Sequence, residues 1–215
     1  MIVYGSTLSP YVRKLMAYCH EKGLAPELVA AGMGRGGPAF EEASPFRKMP
    51  AFRDDDGYTL CDSSAIIAYL EAKYPEPPLI PSEPRARGRA IWFDEFADTL
   101  VIGTGGKMFF NRFVAPKVLR RPGDEAVAAA AEADELPPLL DYLETQIPAS
   151  GFLVEDRLTI ADLAVASPFA NLAHIGVVLD AARHPRTMGY VEAILARPSF
   201  APMIAEEAKL VAALG

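Results

Sequence analysis

Two cysteines in 215 residues, Cys19 and Cys61, are too few for a disulfide framework, and three scattered histidines form no zinc-ligand spacing with them. No metal is expected. Long apolar runs are also missing: charges, Gly or Pro interrupt each one well short of the roughly 20 residues a membrane span needs. No membrane partner is therefore expected. The opening Met1-Ile2-Val3-Tyr4-Gly5 has no basic segment before a long apolar one, as a secretory signal would, so a cytoplasmic protein is expected. Positive charge is in deficit, with 21 Lys and Arg against 28 Asp and Glu and a net charge of -7. That balance opposes a phosphate backbone and argues against a nucleic-acid partner. One local exception runs from Arg85 to Arg121, where eight basic residues face only Asp94, Glu95 and Asp98. Solvated helix faces or an attraction for an anionic ligand would each account for it.

What the chain does have is apolar content, 51% of its residues, enough to fill the core of one large domain or two small ones. The clearest division lies in Tyr74-Pro75-Glu76-Pro77-Pro78-Leu79-Ile80-Pro81-Ser82-Glu83-Pro84, where five prolines in ten residues forbid a continuous helix. Residues 76–84 are accordingly read as a linker between a domain at 1–75 and another at 85–215. Before the linker, β-type and helical runs alternate: Ile2 to Tyr4, Tyr11 to Lys22, Glu27 to Val29, Ala51 to Arg53, Tyr58 to Cys61, and Ser64 to Lys73. This is a βαβ(α)ββα order. Asp54-Asp55-Asp56-Gly57 interrupts the run from Ala51 to Cys61 with a hairpin signal, so strands three and four should be antiparallel. Val12, Leu15, Met16 and Cys19 recur at helical spacing, which predicts one buried stripe and makes Cys19 a core residue.

After the linker the pattern is helical. Ile91, Trp92, Glu95, Phe96 and Thr99 begin an amphipathic segment that Gly103 to Gly106 should interrupt or kink. The alanine-rich stretch from Glu125 to Glu135 and then Leu139, Leu140 and Leu143 extend the helical signal. Thr159-Ile160-Ala161-Asp162 forms a capping box before an apolar helix.

Three short segments have residues suited to chemistry. In Gly5-Ser6-Thr7-Leu8-Ser9-Pro10-Tyr11, Pro10 suits the first helical position and Ser9 the N-cap. Ser9 either caps that helix or, with the positive helix end, stabilises a bound anion such as a thiolate. The positions Ser9-Pro10-Tyr11-Val12 lack the Cys-x-x-Cys of dithiol exchange. In Lys48-Met49-Pro50, proline at the start of a strand reads as a turn proline or as a cis bond that would offer the Met49 backbone to a peptide ligand. In Asp62-Ser63-Ser64, an acid and a hydroxyl at a helix start either cap it or meet the ammonium and carboxylate of an amino-acid ligand.

Taken together, Ser9-Pro10-Tyr11-Val12-Arg13-Lys14, Lys48-Met49-Pro50, Asp62-Ser63-Ser64-Ala65-Ile66, the proline linker and Thr159-Ile160-Ala161-Asp162 resemble the cytosolic glutathione transferase superfamily, in its serine-type, bacterial-like form. The resemblance covers essentially the whole chain. It implies an α/β thioredoxin-like N-terminal domain that binds glutathione as co-substrate, an all-α C-terminal domain that supplies the second-substrate site, and a cytoplasmic homodimer with a role in detoxification. It carries thiol activation to Ser9, with Ser6 and Thr7 as alternatives in the same turn. It gives Lys48 the glycyl carboxylate, Met49 the cysteinyl backbone, Pro50 the cis-proline position, and Asp62 and Ser63 the γ-glutamyl end. Asp62 stands where many members have the longer Glu. Thr159 and Asp162 become folding residues, and Leu8, Tyr11, Phe96, Phe109 and Phe110 expected walls of the acceptor site, with Arg112 facing an anionic acceptor.

The reaction implied is attack of the glutathione thiolate on a small electrophile. Isomerisation, dehalogenation, ether cleavage and peroxide reduction on the same fold are alternatives, as is a non-catalytic glutathione- or ligand-binding protein.

Overall fold

The computed structural model describes residues 1–32 and 34–214. The chain divides between Ile80 and Pro81 into two units, inside the stretch expected as a linker.

The first unit runs β1 (Ile2–Gly5), α1 (Pro10–Glu21), β2 (Glu27–Ala30), α2 (Gly37–Ala43), β3 (Ala51–Arg53), β4 (Thr59–Cys61) and α3 (Ser63–Lys73). Its four strands lie in the order β2-β1-β3-β4. β1 pairs parallel with β2 and antiparallel with β3, and β3 pairs antiparallel with β4 across the predicted Asp-Gly hairpin. Side chains alternate across the sheet. On one face Tyr4 and Ala51 cluster with Phe40 and Ala43 of α2. On the other, Phe52 stacks toward Tyr69 of α3, with ring centroids 6.0 Å apart. α1 packs with α3.

Helix α1 departs from the simple stripe. Val12, Leu15 and Cys19 are buried as the spacing predicts, but Met16 is half-buried while Arg13 and Lys14 are buried as well. Periodicity finds the apolar face of such a helix, whereas packing around nearly its whole circumference decides the rest.

A carboxylate closes this unit. Glu71 accepts from the Tyr18 hydroxyl at 2.5 Å, and its other oxygen accepts the Leu79 and Ile80 amides at 2.9 Å each. Lys22, whose side chain is buried, pairs with Glu71 at 2.9 Å and donates to the Pro77 carbonyl at 2.7 Å. The proline-rich segment is thereby tied to α1 and α3.

The second unit is helical: α4 (Pro84–Glu95), α5 (Ile102–Phe109), α6 (Glu125–Ala130), α7 (Leu136–Gln146), α8 (Ile160–His174), α9 (Pro185–Leu195) and α10 (Ala201–Leu214). Wider π-helical turns join several of these at Phe96–Val101, Phe110–Val118 and Ala131–Glu135. The expected interruption at Gly103 to Gly106 does not occur, because those residues lie inside α5 and the irregularity falls on either side. Gly105 lies against Leu172 of α8, where an added Cβ would be 3.3 Å from that side chain, so this one glycine of the stretch is packed closely, while Gly103 and Gly106 have open space around them. Every residue from Ile160 to Leu172 is buried, which makes α8 the centre of the unit. The capping box that opens it is present. Asp162 accepts from the amides of Leu153 and Thr159, each at 2.9 Å, and from the Tyr190 hydroxyl at 3.2 Å.

Arg112 differs from expectation. Its guanidinium is closed between Glu125, at 2.6 Å, and Glu132, at 2.5 Å. Two carboxylates satisfy its charge within this unit, which removes the reason for assigning it to an anionic acceptor. Among the described residues no helix is long and apolar enough to cross a membrane.

Candidate functional site

Strand register brings the three chemical segments of the first unit to one end of its sheet. Tyr4 pairs with Ala51 and Ala51 with Cys61. The end of β1 leads through Gly5 to Ser9, the start of β3 follows Lys48-Met49-Pro50, and the end of β4 leads into Asp62-Ser63. Because β3 is antiparallel to both neighbours, these three ends coincide. Gly5 is the point of close approach. A Cβ there would stand 2.6 Å from a Val12 methyl, so glycine lets the start of α1 close onto the end of β1, while the Met49 Cβ, 3.5 Å away, would be in ordinary contact.

Ser9 occupies the N-cap of α1 with Pro10 first in the helix, as its sequence implies. Its carbonyl accepts the Arg13 amide at 2.9 Å, yet its hydroxyl makes no capping bond. The N-terminus of a twelve-residue helix has a partial positive charge, and a hydroxyl not spent on that helix can donate to an anion placed there. Ser6 and Thr7 lie in the preceding turn, which the Ser9 amide closes by donating to the Ser6 carbonyl at 2.9 Å.

The Met49–Pro50 bond is cis. Lys48 is held by its backbone: buried Ser44 donates to the Lys48 carbonyl at 2.7 Å and accepts its amide at 3.0 Å. The exposed Lys48 side chain thus starts from a fixed point and can reach an acidic group.

At the start of α3, Asp62 has φ 79° and ψ 129°, a left-handed backbone conformation uncommon for a residue with a side chain. One of its carboxylate oxygens accepts the Ser64 and Ala65 amides at 3.0 and 3.1 Å, so the capping reading of Asp62 holds. Its neighbour behaves differently. The Ser63 hydroxyl is buried without a hydrogen-bond partner. A buried, unsatisfied hydroxyl costs about 1–3 kcal/mol, which a carboxylate arriving at this helix end would offset.

One element of this corner was not legible in sequence. Lys14, 1% exposed, donates to the Ser64 hydroxyl at 3.2 Å and ties α1 to the start of α3. A Lys beside an Arg in an amphipathic helix reads as a solvated face, and only the tertiary packing shows it to be interior. The assembled corner offers an anion position at α1, a cation above the β3 turn, and a carboxylate and hydroxyl at α3. A zwitterionic, thiol-bearing peptide has matching groups. Among the described residues no group of three or more His, Cys, Asp or Glu side chains is placed to hold a metal.

Residues 3–78 match the family of glutathione S-transferase N-terminal domains, and residues 107–198 that of glutathione S-transferase C-terminal domains. The chain is 30% identical over 212 residues to glutathione S-transferase 3 of Zea mays, covering 94% of this chain and 92% of the relative. It is 31% identical over 205 residues to a maleylacetoacetate isomerase of Pseudomonas aeruginosa, covering 92% and 91%. A glutathione S-transferase of Methylobacterium radiotolerans, solved in complex with glutathione sulfonate, superposes with a TM-score of 0.77 at 28% identity, covering 94% of this chain and 93% of that one.

Proposed function

We propose, for a chain that belongs to the glutathione S-transferase superfamily and is a glutathione transferase, that Ser9 activates the thiol of bound glutathione for attack on a small electrophile. The observation that carries this reading is the Ser9 hydroxyl, at the N-terminus of α1 but not used to cap it. The thiol proton leaves to solvent, the Ser9 hydroxyl donates to the sulfur anion, and the helix end adds its partial charge. The thiolate then forms a carbon–sulfur bond as the electrophile's leaving group departs with the bonding electron pair.

Lys48 receives the glycyl carboxylate, the Met49 backbone pairs with the cysteinyl part beside Pro50, and the γ-glutamyl end meets Asp62 and Ser63. The unpartnered Ser63 hydroxyl supports that last pairing. Asp62 has one carboxylate oxygen bonded to amides, which leaves the other for the ligand ammonium. A cytoplasmic homodimer acting on electrophiles as a detoxifying enzyme extends the same reading, and the 83%-exposed Phe46 is a side chain that a second copy would cover.

Thiolate absorbance against pH, for glutathione bound to wild type and to Ser9→Ala, tests the mechanism. A hydrogen bond to a charged group contributes about 1.5–3 kcal/mol, so the bound thiol pKa should rise by about one to two units in the variant. A shift that survives in Ser9→Ala would remove Ser9 from this role.

A further inference from the structure

We propose that Lys14 is a positioning residue for the γ-glutamyl end of glutathione, acting through Ser64. The inference rests on the reading that Asp62 and Ser63 receive that end. Lys14 lies five positions after Ser9 on the same helix, about 7–8 Å along its axis. Its buried ammonium reaches across to the Ser64 hydroxyl. The helix that bears the thiol-activating group therefore also grips the first turn of α3.

That turn needs holding. Asp62 keeps a left-handed backbone, and Ser63 keeps a buried hydroxyl without a partner. Both features are costly in the ligand-free protein, and each would be relieved if the turn rotated toward water. The Asp62 carboxylate fixes the turn through the Ser64 and Ala65 amides, while Lys14 fixes it from α1 through the Ser64 side chain. The result is a first turn of α3 held in one conformation before the ligand arrives, and a set spacing between the sulfur and γ-glutamyl positions. Preorganisation of this kind strengthens binding by removing the cost of ordering the site.

The test compares glutathione with cysteinylglycine, which lacks the γ-glutamyl group, as thiol donors to one chromogenic aryl halide. Lys14→Met should raise KM for glutathione about tenfold, in line with losing a charged hydrogen bond. It should leave kcat/KM with cysteinylglycine unchanged. Ser64→Ala should reproduce the effect, the double variant should be no worse than either single one, and Lys14→Arg should restore part of the loss. Equal losses with both thiols, or an additive double variant, would overturn the proposal. If Lys14→Met does not fold, Ser64→Ala alone decides through the same two-thiol comparison. Failure of the underlying reading looks different: Ser63→Ala would then leave KM for glutathione unchanged.

Discussion

Replacing Glu71 by Gln should weaken the first unit in a way that depends on pH. The substitution keeps the side chain's shape but removes a charge that answers a buried ammonium. Lys22 would keep the neutral Pro77 carbonyl and the face of the Tyr18 ring, 5.8 Å from its ammonium, but lose the 2.9 Å ion pair. Breaking one side of a buried pair costs about 3–5 kcal/mol, and because the Glu71 side chain is 13% exposed the lower end, about 3 kcal/mol, applies. Burial pushes the Glu71 carboxyl up, but the Ile80 amide, the Tyr18 hydroxyl and the Lys22 ammonium together outweigh it and hold the group below its usual range. A depressed acid stabilises the fold above its unfolded pKa, and that contribution is lost as pH falls through the folded value. The difference between wild type and Glu71→Gln should therefore be full at pH 7 and shrink below about pH 4.5. Urea unfolding followed by circular dichroism at both pH values measures it, and exchange of the Leu79 and Ile80 amides should quicken in the variant. A difference below about 1 kcal/mol at pH 7, or one that is the same in acid, would refute the reasoning.

Two further outcomes separate stability from function. Ser63→Ala removes a buried hydroxyl that has no partner, so the ligand-free protein should be as stable as wild type or up to about 1 kcal/mol more stable. KM for glutathione should nevertheless rise about tenfold, and a destabilised variant with unchanged KM would contradict both halves. The two cysteines should differ in reactivity, because burial pushes the Cys19 thiol up to about 12 while Cys61 is partly exposed. A chromogenic disulfide should titrate one thiol in the native protein and both only after unfolding. Loss of the native signal in Cys61→Ser checks the assignment.

Local order was readable in the sequence because local chemistry sets it. Pro10 after Ser9 starts a helix, Asp56-Gly57 turns a hairpin, and Thr159 with Asp162 caps α8, each through groups only a few residues apart. The proline-rich stretch marked the division of the chain for the same reason. The three chemical segments were identifiable by type and order, and resemblance to a family joined them into one binding site. What each hydroxyl or charge does there was not readable. Ser9 and Ser63 carry equally good capping side chains in sequence, but in the fold neither hydroxyl caps, while Asp62 does.

The misjudged residues have a common cause. Arg112 looked available until Glu125 and Glu132, 13 and 20 positions further on, were found against it. Gly103 to Gly106 looked like a break until they were found inside α5, with Gly105 packed on Leu172 of α8. The sequence by itself determined the order of strands and helices in the first unit and the local signals at Pro10, Asp56-Gly57 and Thr159, because those depend on neighbours along the chain. Only the tertiary structure decided which polar groups are spent on the fold and which remain for a ligand, because a side chain's partner is a neighbour in space.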